Sequence, residues 1–304
     1  MTAGERETRG EPETPGEEPE TSGERGAAGA DGWADAVRTG RPRRPWAALT
    51  LLCVPVLAAL LGPWVAGNEP SAEGALPSQP PGGGHPLGTD VLGRDVLWLV
   101  LHGGASVLGS ALGASLIGMA AGVPLGLLAA GPRRGIDETV MRGLDLLLAF
   151  PGLLVLMTLA ATGHREWYWL VSVAGVLQVP AVARLVRGAA LAPGARTVVE
   201  ALRMQGRGWA YIHLRHLARE LAAPLATDAG GRFSVVLYLL ASANFLGLGL
   251  SAASPDWAVL IERNSDALFT QPAAVLVPAG LLTALCVGGN LLVDRALARS
   301  RKPR

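Results

Sequence analysis

The stretch RTVVEALRMQGRGWAYIHLRHLAR, Arg196 to Arg219, separates two apolar runs with a basic, glycine-broken sequence. A connection between packed helices needs only about 2–8 residues. This one is far longer and carries five arginines, so its pattern predicts a docking surface rather than a simple turn. It parses into two short helices. Val198, Ala201, Leu202 and Gln205 share one face of the first, while Arg203 and Arg207 lie four apart on another. Gly206 and Gly208 interrupt that helix, and a second follows with Trp209, Ile212, Leu217 and Leu221. The resulting knob has two readings: a basic loop held by anionic lipid, or a shape that fits a partner's groove.

The apolar runs on either side set the fold class. The chain has 304 residues, of which 50% are hydrophobic and 17% charged, with a mean hydropathy of +0.33. Those values indicate an integral membrane protein. A net charge of +1 gives no sign of a nucleic-acid partner. About 20 apolar residues cross a bilayer as a helix, and lipid offers no partners to bare backbone. Six spans are expected, at about 46–66, 104–130, 143–163, 167–187, 229–250 and 272–293. The fold class is therefore all-α, integral membrane, with six transmembrane helices. Nineteen basic residues fall on the side that holds both chain ends and the 196–219 segment, against Arg94, Arg165 and Arg263 on the other. The positive-inside rule places the first side in the cytoplasm.

Residues 1–37 carry ten acids against three arginines among many Gly, Pro, Thr and Ala. They are expected to form a disordered acidic tail, not a signal peptide, since a basic start is missing. Residues 38–103 comprise the first span, a Pro/Gly-rich external linker, and HPLGTDVLGRDVLWLVLHGG. In that last piece Val91, Leu92, Val96, Leu99 and Val100 fit an amphipathic interfacial helix, with Asp90 placed to cap its start. The core follows at 104–295, then a basic tail at 296–304.

Within the spans, Gly109, Gly113, Gly118, Gly122 and Gly126 form small-residue strips suited to close helix packing, within the chain or against a partner subunit. Pro124, Pro151, Pro180 and Pro278 can kink their helices. Asp145, costly in lipid, is expected to face protein and pair with an arginine, and Asp228 and Arg232 to pair at i, i+4. His85, His102 and His164 are scattered without metal-ligand spacing. Cys53 and Cys286 read as small apolar-environment residues. No side-chain constellation marks a catalytic centre.

At Glu200 to Gly206 the sequence EALRMQG resembles the EAA signature of ABC importer permeases, a pattern of E-A-A-three residues-G followed by I-x-x-x-H-x-x-P. Glu200, Ala201, Gly206, Ile212 and His216 match it, whereas Leu202 stands at the second alanine and Arg219 at the proline. Four further segments are similar to the second permease of dipeptide, oligopeptide and nickel importers. They are HPLGTDVLGRDVL at 85–97, with Gly88, Thr89, Asp90, Gly93, Arg94 and Asp95 as the motif residues, DLLLAFPGLL at 145–154, NFLGLG at 244–249 and SPDWAVLI at 254–261. The order agrees from about residue 40 to 300.

The resemblance implies a type I ABC importer membrane domain in a bacterial plasma (inner) membrane. It implies a second permease subunit, two ATPase subunits and an external substrate-binding protein as partners. It also implies that the 196–219 knob docks on an ATPase, with Glu200 near its helix start as a cap or anchor. The chain has no G-x-x-x-x-G-K-[ST] phosphate loop, so no cofactor is expected on it, and ATP and Mg belong to the partner ATPase. As cargo the resemblance implies a peptide or a related solute such as nickel. A self-sufficient secondary transporter and a membrane scaffold or sensor stand as alternatives. Transport by this chain alone would favour the former, and signalling through the acidic tail the latter.

Overall fold

A computed structural model describes residues 45–67, 76–82, 84–251 and 253–300. The acidic tail, Arg38 to Arg44, residues 68–75 of the linker and residues 301–304 lie outside the described residues. Helix α1 is Pro45–Ala66, α2 is Val96–Ala129, α3 is Arg134–Leu148, α4 is Gly152–Ala161, α5 is Trp167–Ala190 and α6 is Pro193–Met204. A π-helix at Tyr211–Leu217 and one turn, α7 at Ala218–Glu220, lead into α8 at Ala222–Phe245. Helix α9 is Trp257–Arg263, a 3-10 turn spans Ser265–Ala267, and α10 is Ala273–Ser300. The expected tail from residue 296 is thus helical up to Ser300.

Among the described residues four helices are long and apolar enough to cross a membrane: α1, α2, α5 and α10. They answer to the first, second, fourth and sixth expected spans. The third is a broken pair, with α3 and α4 meeting at 66°. Pro151 explains the break, because it stands at the N-cap of α4 in an extended conformation, lacks an N–H, and pushes the preceding residue out of the helical region. The fifth, α8, has 24 residues and is about 36 Å long, but is less apolar. It carries the Asp228–Arg232 ion pair, which turns inward beside Gln178 of α5.

Helices α2 and α5 form the spine. A Cβ at Gly118 would lie 2.6 Å from Gln178 Cβ, one at Gly122 2.6 Å from Val182 Cβ, and one at Gly126 2.6 Å from the Ala183 carbonyl oxygen. These small residues therefore seat the two helices against each other within one chain, and a side chain at any of them would drive the helices apart. Around this spine a main core gathers Val107, Ala111, Leu156, Leu170, Leu237 and Leu285. A second joins Leu127, Val182 and Val186 to Ile212, Leu217 and Leu221, so the segment after α6 is packed onto the ends of α2 and α5. Arg187 clamps Asp137 with two hydrogen bonds of 2.6 and 2.7 Å, and Arg184 pairs with Asp145, tying α3 to α5.

The amphipathic interfacial helix expected in the 85–103 stretch is not formed before Val96. Residues 85–95 instead make a hydrogen-bonded loop, and Asp95, not Asp90, caps the following helix by accepting from the Trp98 N–H at 2.9 Å. Glycines at positions 88 and 93 break the helical pattern, each at positive φ (74° and 77°).

Candidate functional site

Two regions gather the motif residues, one at each end of the long helix α2. At the end holding Val96, Gly88 has no room for a side chain: a Cβ would fall 2.2 Å from the Gln79 carbonyl oxygen. Thr89 donates its hydroxyl to the Leu76 carbonyl at 2.7 Å and accepts from the Gln79 N–H at 2.9 Å. Asp90 has 0% exposure. Its carboxylate accepts from the N–H groups of Leu92 and Arg94, each at 2.8 Å, and from Arg94 Nε at 3.2 Å. It also meets the Arg263 guanidinium at 3.0 Å. Asp95 holds His85 at 2.8 Å. The six motif residues thus fold the loop on itself and onto α9.

Two residues in this region, Asn264 and Gln271, carry no signal of their own in the sequence. Asn264 accepts from the Val91 N–H at 3.0 Å and donates to the Leu260 carbonyl at 2.9 Å. Gln271 donates to the Leu87 carbonyl at 2.7 Å. Asp256, at the start of α9, accepts from Ala258 N–H at 3.0 Å and from Asn244 and Ser106 at 3.1 Å. Burial pushes its carboxyl above the usual carboxylate range. Trp257 donates its indole N–H to the Val100 carbonyl at 2.7 Å and fills the space opposite Gly103 and Gly104. The SPDW and NFLGLG segments are therefore interlocked with the start of α2, a three-dimensional relation that spacing along the chain does not display.

At the opposite end, α6 begins at Pro193, three residues before the expected segment, and ends at Met204. Pro193 needs no N–H partner at a helix start. Glu200 is therefore in the second half of its helix, not near the N-terminus, and the expected capping role does not hold. It is exposed, Ala201 and Leu202 are half-buried, and Val199 is the residue turned into the core. Gln205, expected on the same face as Val198, is exposed. Gly206 has φ +73 and closes the helix: its N–H bonds the Arg203 carbonyl at 2.9 Å, and the Arg207 N–H reaches back to the Leu202 carbonyl at 3.1 Å. This paired arrangement is the Schellman stop, which calls for a left-handed residue at that position.

After the turn the chain forms a π-helix. Ile212 and Leu217 are buried, and His216 is half-buried and 3.2 Å from Glu220. His213 lies outside the matched motif positions, yet it is buried, stacks on Trp209 with centroids 4.8 Å apart, and lies 3.1 Å from the Trp209 carbonyl. Burial lowers its pKa below the ordinary histidine value. A cleft of about 280 Å³ runs between this segment and the ends of α2 and α5, bordered by Gly131, Leu191, Arg196, Glu200, Arg203 and His213. The structure therefore brings Glu200, Leu202, Gly206, Ile212 and His216 into one folded unit, and separates them from the Asp90 group by the length of α2. Among the described residues no group of three or more His, Cys, Asp or Glu is arranged to hold a metal ion.

Residues 122–302 match the family of binding-protein-dependent transport system inner membrane components, and the chain belongs to that family. It is a membrane-spanning permease subunit of an ABC importer, with ATP hydrolysis on a separate chain. Among its relatives is a putative peptide transport system permease protein of Brucella suis, 30% identical over 81% of this chain and 83% of that one. A di/tripeptide transport system permease protein of Pseudomonas aeruginosa is 30% identical over 81% and 84%. A probable D,D-dipeptide transport system permease protein of Escherichia coli is 27% identical over 80% and 82%. The fold is similar to that of a solved chain of the MetNI methionine ABC transporter in an inward-facing conformation. That match has a TM-score of 0.52 and 17% identity, and covers 66% of this chain and 96% of that one. The membrane domain is of the type I importer class.

Proposed function

We propose that this permease carries peptides or a chemically related small solute inward, as half of a translocation path completed by a second permease subunit. Two ATPase subunits supply the energy, and an extracytoplasmic binding protein delivers the cargo. Both chain ends and the Pro193–Glu220 segment face the cytoplasm, consistent with the basic bias of that side. ATP and Mg are held by the ATPases, and this chain needs no cofactor of its own.

The observation that carries the docking reading is the build of the Glu200 end. A short helix, stopped by Gly206 and backed by Ile212 and Leu217 in the core, presents Glu200 outward on a rigid base. A partner that moves this helix moves α5, which leads directly into it, and moves α8 through the π-helix and α7 that share one apolar core with it. The peptide class rests on the named activities of the relatives. The test is reconstitution in liposomes of the whole transporter with its ATPases and binding protein. ATP-driven uptake of labelled di- and oligopeptides is expected, and Glu200→Ala should lower the ratio of cargo moved to ATP hydrolysed. Ion-gradient-driven uptake by this chain alone would point to a secondary transporter instead, and full coupling in a Glu200→Ala, Gly206→Val double variant would overturn the docking assignment.

A further inference from the structure

Helix α8 spans 24 residues yet, unlike α1, α2, α5 and α10, is not apolar enough along its length to stand as a membrane span by composition. One side of it accounts for that. Asp228, Gly231, Val235, Tyr238 and Ser242 recur at steps of three and four, so they fall on one strip. The rest of this chain leaves the strip open. Val235 is 57% exposed and Tyr238 73%, and a Cβ added at Gly231 would meet nothing within 4 Å. Arg232 borders the strip on its inner side. Its Nε donates to Asp228 Oδ2, its Nη2 donates to Oδ1 at 3.3 Å, and its Nη1 reaches Gln178 Oε1 at 3.5 Å. Gln178 stands at the middle of α5, so the ion pair sits at the depth of the hydrocarbon layer. The guanidinium is the more buried partner, 13% exposed against 24% for the carboxylate. Each carboxylate oxygen keeps a further lone pair for a donor arriving from the open strip.

We propose that this strip of α8 forms part of the wall of the translocation path, and that the Asp228 carboxylate draws the cationic groups of the cargo along it: the α-ammonium of a short peptide, or a basic side chain. The assignment rests on the transport reading above. It adds which face of which helix the cargo passes and the sign of charge that face favours. Three environments can cover an open helix face in a membrane protein. Lipid is disfavoured by Asp228, because ionised groups at that depth face protein or a water-filled cavity. A tightly packed second permease would strip the carboxylate of the water that satisfies its outer lone pairs, and the Tyr238 hydroxyl would need a partner there too. A water-filled path leaves both groups solvated. The sign follows from the geometry of the pair. A cation on the open side meets the carboxylate first, with the guanidinium behind it. Coulomb attraction falls as 1/r, so the more distant charge cancels only part of the nearer one. The two hydrogen bonds from Arg232 fix the carboxylate's orientation.

The test uses the complete transporter in liposomes, with Cys53 and Cys286 replaced and Val235→Cys as the only thiol on this chain. Position 235 lies two turns from Asp228, about 10 Å along the helix. At that range one charge changes the local concentration of a monovalent ion by about twofold to fourfold, for an effective dielectric of about 40–80. Water-soluble thiol reagents of equal size, one cationic and one anionic, should both label position 235, the cationic one faster. Asp228→Asn should lower the cation-to-anion ratio of labelling rates by about fourfold or more. Asp228→Arg with Arg232→Asp, which keeps an ion pair, should reverse the preference, and carries the test if detergent melting shows that Asp228→Asn alone does not fold. Both changes should also lower uptake of a lysine-containing dipeptide relative to a glutamate-containing one. The binding protein is the same throughout, so its own preference cancels from that comparison. Labelling by a membrane-soluble maleimide alone would assign the strip to lipid, and a crosslink to the second permease without labelling would assign it to the subunit interface; either overturns the proposal. Labelling by both reagents at a ratio indifferent to Asp228 overturns the charge selection. Failure of the peptide reading looks different: wild type then takes up no dipeptide, while the labelling at 235 and its response to Asp228 persist.

Discussion

Asp90 shows how a motif residue can be decisive without touching any ligand. Its carboxylate is the common acceptor for two backbone N–H groups and two guanidiniums in a spot closed to solvent. Removing one partner of a buried ionic cluster costs about 3–5 kcal/mol. Asp90→Ala is therefore expected to unfold the loop and lower the detergent melting temperature sharply. Asp90→Asn, which keeps an acceptor oxygen, should lose less in the same melting experiment. Gly206 makes a smaller demand. A Cβ added there would meet no atom within 4 Å, so Gly206→Ala costs only the left-handed backbone strain of about 1–2 kcal/mol. Limited proteolysis should then cut more readily at residues 205–208, with membrane insertion unchanged. Asp90 and Gly206 are legible in the sequence as motif positions. Their reasons are not, because Arg263 meets Asp90 only through the fold and the left-handed turn at Gly206 depends on where α6 stops.

Helices differ in how far their pattern discloses them. Helices α1, α2, α5 and α10 are read directly from apolar length. The α3–α4 bend is announced only by Pro151, and the same residue type sits inside α2, α5 and α10 without breaking them. Helix α8 coincides with an expected span, and its charged turn is accommodated by the inward Asp228–Arg232 pair. The helix expected around Asp90 does not form because two left-handed glycines outweigh an amphipathic spacing. The small-residue strip of α2 admits a sharp check. Gly122→Leu would drive a side chain into Val182, an overpacking cost of about 1–3 kcal/mol, and should lower the melting temperature more than Gly135→Leu, where the space is open. The π-helix supplies a pH prediction. The pKa of His213 is depressed in the folded state, so on acidification the unfolded segment takes up a proton first. Stability is thus full above the ordinary histidine range, near about pH 6.5, and falls as pH drops through it. Melting curves at successive pH values should show this loss, and His213→Asn should flatten it.

At the scale of the molecule the arrangement is two structured ends joined by packed helices. Sidedness is checked by placing single cysteines at Leu92 and Met204 in a background with Cys53 and Cys286 replaced. A membrane-impermeant maleimide should label position 92 from outside intact cells and position 204 only after permeabilisation; the reverse pattern would invert the topology. Helix α2 spans 34 residues, about 51 Å of continuous helix, against a hydrocarbon layer of about 30 Å. Its first residue follows the Asp95 cap, and just past its last residue Gly131 borders the cleft beside Glu200. The helix is thus a single beam reaching from the Asp90 loop at one end to the Glu200 knob at the other. A tilt imposed at either end is carried to the other by rigid-body geometry, with no chain of side-chain relays in between.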